Sequence, residues 1–264
     1  YENWDKYQLA VSKGYHHQFA RNVLHKNVNG GQFVELGRLA GVESSEWSWS
    51  ALIQDFDKDG LRDIFISNGT RSDLLDKDYL NYMANDARVR AMIDQDEEVL
   101  KKLIDIMPSE AVTNAIYKNR GNLHFSYESE NWGLNAPTFS NGSAYGDLDN
   151  DGDLDLVVNN VDQPALLYQN NSLPGQQHSL TVQLRYKGAN VNAIGAKVIV
   201  VADTLTSYFE YYPAKGFQSC SAVPLFFGLG AAEVVDSLIV IWPNGEQSTL
   251  TDISVDQRLT VDYA

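Results

Sequence analysis

Short apolar runs, separated by turns rich in Gly, Asn and Asp, make up most of the chain. In several runs apolar and polar residues alternate, as at Leu180, Val182 and Leu184, which is typical of a strand with one buried face. The segment at about residues 70–115 differs, because its apolar residues recur at helical spacing. These residues are Val99, Leu100, Leu103, Ile104 and Met107. The pattern therefore predicts a mainly β protein with a helical insertion.

The chain also contains an internal repeat. Shifted by 92 residues, segment 24–27 (Leu-His-Lys-Asn) superposes on segment 116–119 (Ile-Tyr-Lys-Asn), and a third start at residues 167–170 follows after a further 51 residues. The insertion accounts for the extra length of the first copy. A unit of about 50 residues with several short strands is the period of a β-propeller blade. Two units cannot close a ring. Either the chain is the end of a longer protein, or its exposed strand edges are covered by the insertion, the N-terminal segment or another chain.

Each of the two copies carries an acidic loop directly in front of a predicted strand. Loop 1 is residues 55–63 (Asp-Phe-Asp-Lys-Asp-Gly-Leu-Arg-Asp), and loop 2 is residues 147–155 (Asp-Leu-Asp-Asn-Asp-Gly-Asp-Leu-Asp). Carboxylates at loop positions 1, 3, 5 and 9 can converge on one Ca²⁺ ion, and glycine at position 6 permits the turn that aims the next carbonyl inward. The predicted ligands are Asp55, Asp57, Asp59, Leu61 (main chain) and Asp63 in loop 1, and Asp147, Asp149, Asp151, Asp153 (main chain) and Asp155 in loop 2.

Two other interpretations of the loops are weaker. An EF-hand needs Glu at position 12 and a helix on each side, whereas position 12 is Ile66 in loop 1 and Val158 in loop 2, and strands follow. The loops could also be solvated acidic turns without a metal. Because the same loop occurs twice with the same strand behind it, we expect two Ca²⁺ sites.

The C-terminal part has a different pattern. We predict seven short strands in it, with a turn at residues 243–245 (Pro-Asn-Gly). This spacing is typical of a small antiparallel β-sandwich. The chain therefore divides into a repeat region, residues 1–172, and a sandwich domain, residues 173–264.

Charge and motif content exclude several functions. The net charge of −15 argues against binding to nucleic acid, and no apolar run reaches the roughly 18 residues of a transmembrane helix. The chain shows no Gly-x-Ser-x-Gly, His-Glu-x-x-His or P-loop motif. A carboxylate bound to Ca²⁺ stays ionised and is a poor general acid. We therefore expect no catalytic residues and no organic cofactor.

The two loops and the residues before them resemble the FG-GAP/VCBS repeat of integrin α-chain propellers and many secreted bacterial proteins. The preceding residues are 47–49 (Trp-Ser-Trp) and 143–146 (Ser-Ala-Tyr-Gly). The C-terminal part resembles the ASPIC/UnbV domain that follows such repeats in proteins similar to cartilage acidic protein 1. Its motifs are 192–196 (Asn-Ala-Ile-Gly-Ala), 227–230 (Phe-Gly-Leu-Gly) and 241–245 (Ile-Trp-Pro-Asn-Gly).

The resemblance implies an incomplete ring of propeller-type blades braced by Ca²⁺, and a secreted or cell-surface module for binding or adhesion. No export signal is present in this chain. The expected ligand is a glycan or a protein, and Trp47, Trp49 and Trp132 either stack on sugars or pack inside the repeats. Two other functions remain open. One is part of a secreted polysaccharide lyase or hydrolase built on a propeller, and the other is a purely structural piece of a larger surface protein.

Overall fold

The computed structural model describes residues 4–17, 19–85, 89, 92, 97–172, 177–222 and 224–263. Strands dominate it, which confirms the mainly β class. The helices are α1 (Trp4–Ser12), α2 (Gly37–Ala40), α3 (Lys77–Met83) and α4 (Glu97–Asp105). The strands are β1 (His25–Val28), β2 (Gln32–Glu35), β3 (Ser48–Gln54), β4 (Asp63–Asn68), β5 (Val112–Thr113), β6 (Ala115–Asn119), β7 (Phe125–Tyr127), β8 (Pro137–Thr138), β9 (Ser140–Gly146), β10 (Asp155–Asn160), β11 (Leu166–Tyr168), β12 (His178–Arg185), β13 (Lys197–Ala202), β14 (Leu205–Glu210), β15 (Ala214–Gly216), β16 (Ser219–Cys220), β17 (Leu225–Gly230), β18 (Val234–Ile241), β19 (Gln247–Ser254) and β20 (Gln257–Asp262).

Two antiparallel sheets form the centre of the repeat region, in the orders β3-β4-β6-β7 and β9-β10-β11. In each sheet, the two strands joined by an acidic loop pair with each other. The strand after the loop, β4 or β10, also pairs with a strand at the start of the next repeat, β6 or β11. Apolar side chains from both sheets meet in one buried cluster. The cluster includes Leu52, Phe65, Ile116, Leu156 and Val158. The other face of the first sheet packs on residues around α2, so every residue of β4 is buried.

The helical insertion packs largely on itself. Asp76 caps α3 by accepting the Tyr79 N–H at 2.8 Å, and the Tyr79 hydroxyl donates to the Leu103 carbonyl of α4 at 3.1 Å. Its two ends meet where the Asp73 N–H donates to the Pro108 carbonyl at 2.9 Å. Among the described residues, those of α3 and α4 contribute nothing to the buried clusters of the sheets. The ends of the insertion do contact the repeat region, since Arg71 pairs with Asp162 and β5 pairs with β8.

The C-terminal part has strands at all seven predicted places, arranged in two sheets of order β17-β12-β20 and β14-β13-β18-β19. Their inward side chains share one buried cluster, which includes Leu180, Val182, Val198, Val200 and Leu238. The turn at residues 243–245 joins β18 to β19, with the Gly245 N–H donating to the Trp242 carbonyl at 2.8 Å.

The prediction that all strands here are antiparallel is wrong at one pair, because β12 and β20 run parallel. Asp256, between β19 and β20, links the starts of the parallel strands β12 and β20. Its backbone N–H donates to the Ser179 carbonyl at 2.7 Å, and its carboxylate accepts the Ser179 N–H at 3.0 Å. The same carboxylate lies 2.6 Å from Nδ1 of His178. These contacts hold the starts of β12 and β20 side by side, so both strands run in one direction.

The hairpin β15–β16 joins the C-terminal part to the repeat region. It lies against β3 and β9, where Ser50, Ser143 and Ser219 form a buried hydroxyl chain with Oγ–Oγ distances of 2.8 and 2.6 Å. Gly142 is required there, because an added Cβ would overlap the carbonyl oxygen of Gln218. The hairpin therefore fills the space between the first strands of the two repeat sheets.

Candidate metal centre

Loop 1 connects β3 to β4, and loop 2 connects β9 to β10. Both loops turn through left-handed backbone at positions 4 and 6: Lys58 and Gly60 have φ of 63° and 87°, and Asn150 and Gly152 have φ of 63° and 89°. Glycine adopts this conformation at little cost. The two loops therefore share one backbone path, as the repeated sequence predicts.

This path brings together the carboxylates at positions 1, 3 and 5. Oxygens of Asp55, Asp57 and Asp59 lie within 4.8 Å of one another, and those of Asp147, Asp149 and Asp151 do the same. The position 7 residues, Leu61 and Asp153, donate their N–H groups at 2.9 Å to the position 5 carboxylates in both loops. The Asp153 side chain is used elsewhere, since it accepts the Ser172 N–H at 3.0 Å and pairs with Lys58 of loop 1.

The position 9 aspartates are not part of these groups. Asp63 accepts the Phe56 N–H at 3.0 Å on one oxygen and the Asn119 N–H at 2.9 Å on the other. Asp155 accepts the N–H groups of Leu148 and Asn170 in the same way, both at 2.9 Å. Asn119 and Asn170 occupy the same position in successive repeats, so each of these aspartates closes its loop and attaches it to the next repeat. A carboxylate has about four acceptor sites, so both residues keep capacity for a metal.

Loop 1 is buried without enough positive charge to balance it. The pKa of Asp55 is raised to about 8, chiefly because the carboxyl is buried. The hydrogen bond from the Gly60 N–H acts to lower this pKa, and the negative charges of the neighbouring aspartates act to raise it. Burial raises the pKa of Asp63 to about 7 in the same manner. Asp55 is only 4% exposed. Within the described part of the chain, one buried oxygen each of Asp55, Asp57 and Asp147 has no hydrogen-bond partner.

The oxygens without a hydrogen-bond partner indicate whether a metal would fit the loops. A buried acceptor without a partner costs free energy, and buried polar groups in proteins are otherwise nearly always paired. A hard divalent cation takes several carboxylate and carbonyl oxygens at once. The donor set present in each loop therefore suits Ca²⁺.

Basic and amide side chains outside the predicted ligand set also reach the loops. Lys118 pairs with Asp57 and Asp59, and Gln169 donates to Asp149 at 2.6 Å. We did not predict either contact. The signal was present in the 51-residue repeat, which places Lys118 and Gln169 at the same position beside Asn119 and Asn170.

Loop 1 is covered by the C-terminal part. The Gly230 N–H donates to the Lys58 carbonyl at 2.9 Å, and Nε2 of Gln54 donates to the Phe226 carbonyl at 3.1 Å. A Cβ on Gly228 would overlap a carboxylate oxygen of Asp55. The predicted motif at residues 227–230 is therefore the surface on which loop 1 rests.

Comparison with protein families agrees with this architecture. The FG-GAP-like repeat matches residues 103–158, which include the whole of loop 2, and the family described as ASPIC and UnbV matches residues 186–264. The chain joins an FG-GAP-like repeat to a C-terminal ASPIC/UnbV domain. Loop 1 lies outside the matched segment, so its assignment depends on the internal repeat and the shared geometry. A search of curated proteins finds no match for the chain.

FG-GAP repeats are typical of extracellular proteins. Among the described residues of this FG-GAP and ASPIC/UnbV chain, no helix has the length and apolar character needed to cross a bilayer.

A cavity of about 400 Å³ lies beside the two acidic loops of the repeat region. Its lining includes the aromatic residues Phe56, Trp132 and Tyr168 and the polar residues Asp57, Asn131 and Gln169. The buried Tyr168 hydroxyl finds no hydrogen-bond partner among the residues the structure describes. Asp57 belongs to loop 1 and Gln169 contacts loop 2, so both loops border the cavity.

The three predicted tryptophans have different environments. Trp49 packs against Phe217 with ring centroids 4.7 Å apart, and its Nε1 donates to the Gly69 carbonyl at 2.5 Å. Trp47 is 40% exposed and lies next to Trp49, outside the cavity. Trp132 alone of the three lines the cavity. Packing therefore accounts for Trp49. Trp132 also packs against the buried cluster of the repeat sheets, but it lines the cavity as well and is the candidate for contact with a ligand.

Proposed function

We propose that the protein is a non-enzymatic, Ca²⁺-binding module of the cell surface or the extracellular space, which binds a glycan or a protein partner. Each acidic loop takes one Ca²⁺. The ion connects two strands of one sheet, and the position 9 aspartate extends that connection to the next repeat. In this proposal the two repeat sheets are blades of an incomplete propeller, and the two C-terminal sheets form a sandwich.

The observation that carries the calcium proposal is the set of buried, unpartnered oxygens of Asp55, Asp57 and Asp147. Each belongs to a group of three carboxylates that the loop backbone brings together. Hydrogen bonds within the loops leave these oxygens unsatisfied, and a divalent cation would satisfy them. Because no preformed site exists in the unfolded chain, metal binding also stabilises the fold.

Isothermal titration calorimetry of the EDTA-treated chain tests this proposal. We expect two Ca²⁺ ions per chain and a higher melting temperature in Ca²⁺ than in EDTA. Asp55→Asn should remove one site while keeping the Gly60 hydrogen bond. Asp252→Asn is the control, because Asp252 is exposed and its left-handed backbone suits Asn. A chain that takes up no Ca²⁺ and melts at the same temperature in both buffers would refute the calcium proposal.

The cavity lined by Trp132 is the proposed ligand site. An aromatic face together with amide and carboxylate groups suits a sugar, which has apolar C–H faces and polar hydroxyls. Because both loops border the cavity, metal binding should fix its shape. Ligand binding is therefore expected to need Ca²⁺.

A glycan array probed with the labelled chain in Ca²⁺ and in EDTA tests the ligand class. We expect signals in Ca²⁺ that Trp132→Ala abolishes. Trp47→Ala should preserve them, because Trp47 lies outside the cavity. A blank array from a folded, Ca²⁺-loaded chain would exclude the glycan and leave a protein partner as the ligand.

The raised pKa values of Asp55 and Asp63 could also suggest a general acid, since perturbed carboxylates are common in active sites. Their cause favours a metal site instead. Burial is the largest contribution at both residues, and both oxygens of Asp63 already accept backbone hydrogen bonds. Turnover of a polysaccharide that Asp63→Asn abolishes without unfolding the chain would favour the enzymatic alternative.

A further inference from the structure

The two loops differ in one contact. In each loop, the aspartate at position 3 contacts a side chain from the next repeat. The two contacting side chains occupy equivalent positions, 51 residues apart. In loop 1 this side chain is Lys118, whose ammonium pairs with Asp57 and lies 3.2 Å from a carboxylate oxygen of Asp59. In loop 2 it is Gln169, whose neutral amide donates to Asp149 at 2.6 Å.

This difference changes the charge that a cation meets. The ion pair of Lys118 is largely shielded from solvent, with the side chains of Lys118, Asp57 and Asp59 only 19%, 23% and 18% exposed. A positive charge so close repels a divalent ion more strongly than it would at an open surface. Gln169 introduces no such repulsion.

The other basic side chains near the loops do not remove the difference. Lys58 reaches loop 2, where it pairs with Asp153. The Asp153 side chain is not a predicted ligand, so this ion pair does not occupy the four aspartates predicted as side-chain ligands of loop 2. Arg62 belongs to loop 1 and has no basic counterpart at Leu154 in loop 2. Its guanidinium lies over the Phe209 ring, 4.8 Å from the centroid. The Arg62 guanidinium also interacts electrostatically with Asp55, so it adds to the positive charge beside loop 1.

We propose that Lys118 acts as a tethered cation that competes with the divalent ion for loop 1, so that loop 2 fills at lower Ca²⁺ concentration than loop 1. This inference depends on the proposed function, in which both loops bind Ca²⁺. Lys118 engages only one oxygen of Asp57, and the other oxygen of Asp57 and one of Asp55 remain buried and unpartnered within the described structure. Loop 1 thus keeps free oxygens for the metal, and the ion competes with Lys118 for the oxygens of Asp57 and Asp59 that the ammonium already engages.

Calorimetric titration of the full chain with Ca²⁺ tests this inference. The wild type should show two unequal affinities. Lys118→Gln should raise the weaker affinity on the order of tenfold, because it removes a unit charge beside the ion. Lys118→Arg keeps the charge and should leave the wild-type pattern. Gln169→Lys places the same charge beside loop 2 and should lower the stronger affinity; Gln169 is exposed, so the substitution should not disturb folding.

The outcomes separate this inference from the proposal of calcium binding. Two equal affinities in the wild type, or a Lys118→Gln variant with unchanged affinities, would overturn the inference and leave calcium binding intact. A rise for Lys118→Arg equal to that for Lys118→Gln would show that charge is not the cause. A chain without any Ca²⁺ binding would refute both. Circular dichroism of each variant checks that it is folded, and Gln169→Lys is an independent test if Lys118→Gln does not fold.

Discussion

Aspartates within one loop perform different tasks, and the neighbours of each carboxylate decide which. Asp63 has two backbone N–H donors and acts as a structural acceptor. Asp55, at the other end of the same loop, has one N–H donor on one oxygen and none on the other among the described residues. The spacing of identical residues identifies the loop, but only the contacts separate carboxylates with an unpartnered oxygen from those in which both oxygens accept backbone hydrogen bonds.

The raised pKa values predict how the metal-free protein depends on pH. Asp55 and Asp63 have folded pKa values of about 8 and about 7, above the ordinary value near 4. At pH values between the ordinary pKa and the raised pKa, the folded state binds more protons than the unfolded state. The free energy of unfolding therefore falls as pH rises through this range. We expect the melting temperature in EDTA to fall from pH 5 to pH 8.

Saturating Ca²⁺ should weaken this dependence, because the metal stabilises the ionised carboxylates and the folded state no longer holds the extra protons. Asp55→Asn should weaken it in EDTA, whereas Asp252→Asn should not. Differential scanning calorimetry across the pH range measures the effect. A melting temperature in EDTA that rises from pH 5 to pH 8 would contradict the prediction.

At the scale of elements, hydrophobic patterning was enough to predict seven C-terminal strands and the strand behind each acidic loop, and the spacing of the aspartates predicted the loops. Alternation at Leu180, Val182 and Leu184 located β12, whereas the short hairpin β15–β16 was not predicted. The parallel pairing of β12 with β20 was not predictable in this way. It depends on Asp256, which contacts residues almost 80 positions away, and no local pattern reports such a contact.

Local sequence patterns likewise predict only part of the candidate metal site. The loops, their glycines and the first three carboxylates follow from local spacing, and the structure brings those carboxylates together. Lys118 and Gln169 belong to the following repeat, so their contacts with the loops arise from the pairing of strands between repeats. Only a comparison of the repeats at the 51-residue offset could have suggested these contacts.

Asp256→Asn tests the crossover between the C-terminal sheets. Asn tolerates the left-handed backbone at this position, where φ is 54°, but its amide replaces one of the two acceptor oxygens. We expect a loss of about 0.5–1.5 kcal/mol, the usual value of one hydrogen bond. Urea denaturation measures it, and hydrogen exchange should become faster in β20. Asp252→Asn, with the same φ of 54°, is the matched control. Unchanged exchange in β20 would show that Asp256 does not hold the strand.

At the scale of the whole molecule, the proposed metal site of loop 1 is also an interface between the two parts of the chain. Loop 1 contacts β17 through the Gly230 N–H, and Gln54 at the end of β3 donates to the Phe226 carbonyl. Phe226 also enters the buried cluster of the repeat sheets. The hairpin β15–β16 fills the space between β3 and β9. The FG-GAP region and the ASPIC/UnbV domain therefore share buried surface, and changes in loop 1 should affect both.

Gly228→Ala tests this coupling. An added Cβ would overlap a carboxylate oxygen of Asp55 and lie 2.8 Å from Cα of Lys58, so either β17 or loop 1 must shift. Overpacking of this kind typically costs about 1–3 kcal/mol. We expect a lower denaturation midpoint and, because Asp55 must move, weaker Ca²⁺ binding at loop 1 with loop 2 unchanged. Gly31→Ala is the control, since nothing lies within 4 Å of its added Cβ. If Gly228→Ala lowers stability but leaves both Ca²⁺ affinities unchanged, the C-terminal domain covers loop 1 without controlling its metal site.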